Sequence, residues 1–126
     1  MAFNNLDWPS FRKCRVENPV LFHTSVAQNP TGKRIDDVAG FESSWHHQFE
    51  IMRQNAAKRG TTSPPFANIQ PKDLRVDLVA PTVAVVTFHL GSGVTSIGRR
   101  MFVVVKTGEG WKISHLHASN LALNAN

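Results

Sequence analysis

Six apolar residues, Val38, Phe41, Trp45, Phe49, Met52 and Ala56, recur at spacings of three or four, which puts them on one face of an α-helix. Asp36 and Asp37 stand at its N-terminal end, where a carboxylate caps free amides and favours the helix dipole; Lys58, Arg59 and Gly60 close it. A long helix with one apolar stripe must lay that stripe on another layer. The rest of the chain offers a sheet.

Residues 74–79, 83–90, 99–106 and 111–119 are β-prone, and the breaks at Pro81-Thr82, 91–98 and 108–110 are short enough for antiparallel hairpins. Upstream, Asp7 as cap and Pro9 in the first turn mark a short helix to about Val16. Residues 20–24 are β-prone, 29–32 form a turn, and 61–71, with three prolines, form a loop. Helices followed by a meander predict an α+β fold with its helices on one face of a curved sheet.

At 126 residues, positions 1–126 form a single domain by length. The net charge of +5 reflects scarce acids, and the basic residues are spread without an aromatic-interleaved stripe, so no nucleic acid is expected as partner. Residues 78–98 carry no formal charge, but Pro81, His89 and three glycines interrupt them, so no membrane segment is expected. With no signal-peptide pattern at the N-terminus and a single cysteine, Cys14, the expected location is cytoplasmic. Cys14 has basic neighbours that lower a thiol pKa, yet it reads better as a buried inert thiol.

Strand alternation predicts which side chains meet the helix. With Trp111 inside, Ile113, His115, His117 and Ser119 share its face. Arg100 and Lys106 mark the outer face of the preceding strand, leaving Arg99, Met101, Val103 and Val105 inside. A two-residue turn at Pro81-Thr82 pairs Leu78 with Val85, Val76 with Thr87 and Leu74 with His89, so His89 points inward as well. Val86, Phe88, Phe102 and Val104 then form an apolar outer patch, which predicts sheet-to-sheet self-association.

The Asp7-Trp8 helix start, a strand ending Phe22-His23, the turn through Gly40 and Phe41 to Trp45, and the meander from Leu74 to Ser119 resemble the SnoaL-like, ketosteroid-isomerase-like branch of the nuclear transport factor 2-like superfamily. The ending from Gly110 to Ser119 is its most specific part and is similar to the last strand of the association domain of calcium/calmodulin-dependent protein kinase. The resemblance implies a cone-shaped, cystatin-like α+β barrel, a strongly bent antiparallel sheet wrapped around a long helix, with a pocket at the open end. It also implies a homodimer through the outer sheet face. The family's long first helix is expected to be missing or shortened, because six residues precede Asp7.

Isomerases, dehydratases, hydrolases and non-catalytic modules share that fold, so function rests on the site. Isomerase chemistry of the ketosteroid type needs an inward carboxylate and an oxyanion stabiliser. This chain has no tyrosine, and none of its nine acids falls at an inward position. Histidine acid/base chemistry remains, with His115 and His117 as candidate catalytic residues. His23, Trp45, Phe49, His89, Arg99, Met101, Val103 and Trp111 are the candidate ligand-binding residues, with Arg99 anchoring an anionic group. The same histidines can instead only hydrogen-bond across the pocket. A His-x-His pair plus a third histidine is also a zinc pattern, but the resemblance speaks against a metal, and no cofactor is implied. His46 and His47, about 100° apart on the helix, do not form a ligand pair.

The expected function is a pocket protein for a small apolar or aromatic ligand, or an isomerase, dehydratase or hydrolase acting on one. The alternative is a non-catalytic homo-oligomeric binding or assembly module, whose interface is Val86, Phe88, Phe102 and Val104.

Overall fold

The computed structural model describes residues 2–24, 29–91 and 93–123; Ser92, within the expected 91–98 turn, lies outside them. Helix α1 (Trp8–Lys13) starts at Asp7, whose carboxylate accepts from the Ser10 amide, and leads into strand β1 (Arg15–Phe22). Helix α2 (Val38–Lys58) is capped by Asp37, whose side chain accepts from the Gly40 amide. Strands β2 (Lys72–Ala80), β3 (Val83–Leu90), β4 (Ser96–Thr107) and β5 (Gly110–Ala122) complete the chain. They form a curved five-stranded sheet in the order β1-β5-β4-β3-β2, antiparallel except that β1 runs parallel to β5. Among the described residues no helix is long and apolar enough to cross a membrane.

The helix stripe is the core. Phe41, Trp45 and Phe49 are buried together with Leu6, Phe11, Leu21, Leu116 and Ala118, and Phe102 packs against them. Burial of each large apolar side chain contributes about 1.5–3 kcal/mol. The N-terminal segment closes the outer side of the helix: Phe3 lies 6.0 Å, ring to ring, from each of Phe11, Trp45 and Phe49. Asn4 ties that segment to the loop after α2, its side chain donating to the Ile69 carbonyl and accepting from the Ile69 amide.

Two β-bulges overturn the expected faces. In β5, Ile113 pairs with Val104 and His115 with Val103, so Ser114 is an extra residue. One extra residue reverses every later side chain. Ile113 lines the space beside Phe41 and Trp45, as expected, but Leu116 and Ala118 then turn to the helix while His115 and His117 turn away and are exposed. In β2, Ala80 pairs with Val83 but Leu78 pairs with Ala84, which makes Val79 the extra residue. The Leu78–Val85 register is therefore replaced by Leu78–Ala84, Val76–Val86 and Arg75–Thr87, and His89 sits opposite Lys72.

The exchange of faces runs across the sheet. Phe102 pairs with Leu116 and Val86, Arg100 with Ala118 and Phe88, and Val104 with Ile113 and Ala84, all on the helix side. The patch of Val86, Phe88, Phe102 and Val104, expected outside, is thus helix-facing, with the Phe88 and Phe102 rings edge to face at 5.3 Å. His89, Arg99, Met101, Val103, His115 and His117, expected inside, occupy the helix-distal face. Cys14 is exposed rather than buried.

Candidate functional site

Leu21 turns to the helix and is buried, Phe22 turns away, and His23, the first residue past β1, turns back. Its ring lies 5.0 Å from the Trp45 ring at an interplanar angle of 55°. Both His23 ring nitrogens and the Trp45 Nε1 are buried and have no hydrogen-bond partner among the described residues. Such a nitrogen costs about 1–3 kcal/mol when left unpaired. Buried polar groups in folded proteins are mostly hydrogen-bonded, so three unpaired nitrogens in one place call for an explanation.

Arg100 is the charge that acts on His23. Its Nη1 donates to the Arg99 carbonyl, the Ser119 carbonyl and Asn120 Oδ1 at 3.1–3.3 Å. Gly98 makes room for that arrangement, since a Cβ there would lie 3.2 Å from Asn120 Oδ1 and 3.3 Å from Arg100 Nη1. Among the described residues no carboxylate forms an ion pair with Arg100, and no Asp or Glu is buried. Burial, and then the charge of Arg100, lower the His23 pKa to about 4; burial also lowers that of Arg100. His23 is therefore neutral at neutral pH, with one donor and one acceptor nitrogen. Together the site presents an indole donor, an imidazole donor and acceptor, and a cation. An acceptor group, best an anionic one, complements that set.

A buried cation, Arg15, also lies near Trp45. The Arg15 guanidinium stacks 3.6 Å over the Phe11 ring, lies 5.7 Å from the Trp45 ring and donates to the Phe11 carbonyl at 2.8 Å. Burial lowers its pKa to about 10. The cavity between Arg15, Phe41, Trp45, Ile113 and Leu116 is about 10 Å³. That is room for about one water and no organic ligand. A larger depression of about 400 Å³ opens where α1 meets the β4–β5 turn. Its cations are largely committed: Arg12 donates to the Val16 and Glu17 carbonyls and lies 3.6 Å from Glu42, and Lys112 lies 3.4 Å from Glu109.

Of the residues picked from sequence, the structure brings His23 and Trp45 together. Phe49 is packed into the aromatic core, 4.9 Å from Phe11, and Trp111 is exposed at the β4–β5 turn. Met101, Val103, His115 and His117 gather on the opposite face, where Met101 is exposed, His117 lies 5.5 Å from Phe22 and His115 Nδ1 is 3.0 Å from Ser114 Oγ. Arg99 donates to Ser119 Oγ, and His89 lies 3.8 Å from Asp73. His46 is exposed and stacks on Trp8 at 3.8 Å. Among the described residues no group of three His, Cys, Asp or Glu converges on a point. Sequence reasoning missed Arg100, which its charge assigned to the outside; the aromatic pair Phe88 and Phe102, at the same parity, was the signal for the inside.

A curved sheet folded over one long helix, with polar atoms stranded between them, defines a nuclear transport factor 2-like domain. Residues 26–123 match the SnoaL-like domain family, and the protein belongs to that family. Similar solved structures include a cystatin-like fold protein from Burkholderia xenovorans, 16% identical, with a TM-score of 0.64 over 98% of this chain and 83% of that one. A protein of unknown function from Pseudomonas putida, labelled NTF2-like, is 17% identical, with a TM-score of 0.61 over 99% and 85%. The association domain of C. elegans CaMKII is 12% identical, with a TM-score of 0.61 over 94% and 84%. At these identities the likeness is one of fold. No curated protein matches the chain.

Proposed function

We propose that the protein is a small-molecule-binding domain whose ligand sits on the helix side of the sheet, between Trp45, His23 and Arg100. The observation that carries this reading is the cluster of buried, unpartnered nitrogens on His23 and Trp45. The ligand chemistry that fits is an apolar or aromatic body bearing a carbonyl or carboxylate, with Arg100 rather than Arg99 as the anchor for its charge. Binding is favoured over proton transfer. A histidine whose pKa is lowered to about 4 is a weak base at neutral pH, and no buried carboxylate stands beside it. The acid/base role first assigned to His115 and His117 is not carried into this reading, because both are exposed on the other face.

A thermal-shift and calorimetric screen of aromatic carboxylates, steroids and polyketides, each against a neutral isostere where one exists, tests it. Carboxylates should bind best, and His23→Phe and Arg100→Met should each weaken them by about tenfold or more, as for loss of a charged hydrogen bond. Equal binding by wild type and both variants would remove the site.

A second reading, homodimerisation through the helix-distal face, is favoured by the apolar residues left there. Met101 and Phe22 are 49% and 40% exposed, beside Val85, Val103 and Val105. The interface then comprises these residues and His117, in place of Val86, Phe88, Phe102 and Val104.

A further inference from the structure

The sheet has two edge strands: β1 carries a bridge from Leu21 to Ile35, whereas β2 pairs, among the described residues, only with β3. Proteins usually blunt such an edge with charge or bulges, because its open amides and carbonyls recruit further strands. Here the bulges lie at either end, between Lys72 and Arg75 and between Leu78 and Ala80, and leave a regular ladder over 75–78. The side chains around it are unusually apolar for an edge: Leu74, Val76 and Leu78 are 56%, 58% and 67% exposed. The charges on it, Arg75 and Asp77, are also exposed and lie 2.9 Å apart.

The order Leu74-Arg75-Val76-Asp77-Leu78 is self-complementary about its centre. In an antiparallel pair centred on Val76, Leu74 stands opposite Leu78 of a second copy, Val76 opposite Val76, and Arg75 opposite Asp77, twice. Directly opposed residues in such a pair share a face. The three apolar pairs, Leu74–Leu78 twice and Val76–Val76, therefore fall on the helix-facing side, and the two Arg75–Asp77 pairs fall together on the other. The charges of this strand therefore complement those of a second copy laid antiparallel to it. An isologous two-fold contact requires that property of a patch.

We infer that β2 is a docking edge for a second copy of this chain, the two sheets joining antiparallel about Val76 into one ten-stranded sheet. The contact is separate from the helix-distal face, so it doubles whatever assembly that face gives, and it stands whether or not that face associates.

Sedimentation equilibrium at low salt on wild type, Arg75→Asp, Asp77→Arg and the double exchange R75D/D77R tests the register. Each single variant sets like charges opposite one another and should halve the mass, weakening association by about tenfold or more. The double exchange restores both opposite-charge pairs and should return the wild-type mass. Masses unchanged by the single variants, or a double exchange that stays at half mass, would overturn the proposal. So would a wild-type mass already equal to that of the single variants, which would leave the edge to solvent or a different partner. An independent measurement uses Val76→Cys in a Cys14→Ser background. Opposed Cα atoms about 4.5–5.5 Å apart lie within disulfide reach, so mild oxidation should cross-link two chains, and adding R75D should suppress it. Absence of that cross-link in a folded V76C variant counts against pairing about Val76.

Discussion

His23 and Trp45 meet ring to ring at 5.0 Å, one from the end of a strand and the other from the middle of the long helix, and among the described residues neither the two His23 nitrogens nor Trp45 Nε1 has a hydrogen-bond partner. The contact joins β1 to α2 at the point where the apolar core gives way to polar atoms. Its energetics depend on His23 being neutral.

The first prediction concerns acid. The folded pKa of His23 is lowered from 6.5 to about 4, so on acidification the unfolded chain takes up a proton before the folded one does. The stability due to neutral His23 is complete above pH 6.5, is lost as pH falls from there to about 4, and changes no further below. With solvent screening of this half-buried ring allowed for, the loss is about 1–2 kcal/mol. Urea unfolding at pH 7.5 and 4.5 should show a smaller pH-dependent drop in His23→Phe than in wild type. Equal drops would mean that His23 is not the source.

Arg100 contributes the second part of that depression, after burial. Arg100→Met should therefore raise the His23 pKa yet leave it below the ordinary histidine value, since the desolvation remains. NMR titration of the His23 ring proton checks this. A pKa unmoved by the substitution would separate Arg100 from the site.

Met101 and Phe102 are adjacent in β4 and face opposite sides. Phe102 packs on the core, so Phe102→Glu should cost about 3 kcal/mol or more by setting a carboxylate among apolar side chains. Met101 is 49% exposed, so Met101→Glu should leave the melting temperature nearly unchanged while weakening a face-packed dimer. Light scattering with thermal melts distinguishes the two. An unfolded Met101→Glu, or a fully stable Phe102→Glu, would contradict the assignment of faces.

The long helix was legible because six apolar residues at helical spacing, an aspartate cap and a closing glycine all agree, and α2 runs from Val38 to Lys58 as they require. The meander was legible for similar reasons, and β3 spans Val83–Leu90 as expected. What alternation cannot register is an added residue. Trp111 and Ile113 obey the expected parity, whereas Ser114 reverses His115 and His117, and nothing in the local composition of Ile113-Ser114-His115 announces it. Pairing of β1 with β5 was also invisible, since it joins residues at least 95 positions apart, as in Val20 and His115. It is this pairing that carries His23 to Trp45. The size of Phe88, Phe102 and Leu116 was a better guide to the inner face than the charges of Arg100 and Lys106, because an arginine tolerates the inside when carbonyls receive it.

The reversal at Ser114 gives the last prediction. Ser114 Oγ donates to the Val103 carbonyl at 3.1 Å, which pins the bulge against β4. Ser114→Ala removes that bond and should cost about 1 kcal/mol, leaving the faces as they are. Deleting Ser114 is a different perturbation. Without the extra residue Ile113 and His115 become neighbours in a continuous ladder, so the pairings with Val104 and Val103 are kept, His115 and His117 stay helix-distal and Leu116 and Ala118 stay in the core. The deletion variant should therefore keep its near-ultraviolet circular dichroism and its cooperative melt, as Ser114→Ala does. A deletion variant that loses its cooperative melt would contradict the assignment of Ser114 as the extra residue.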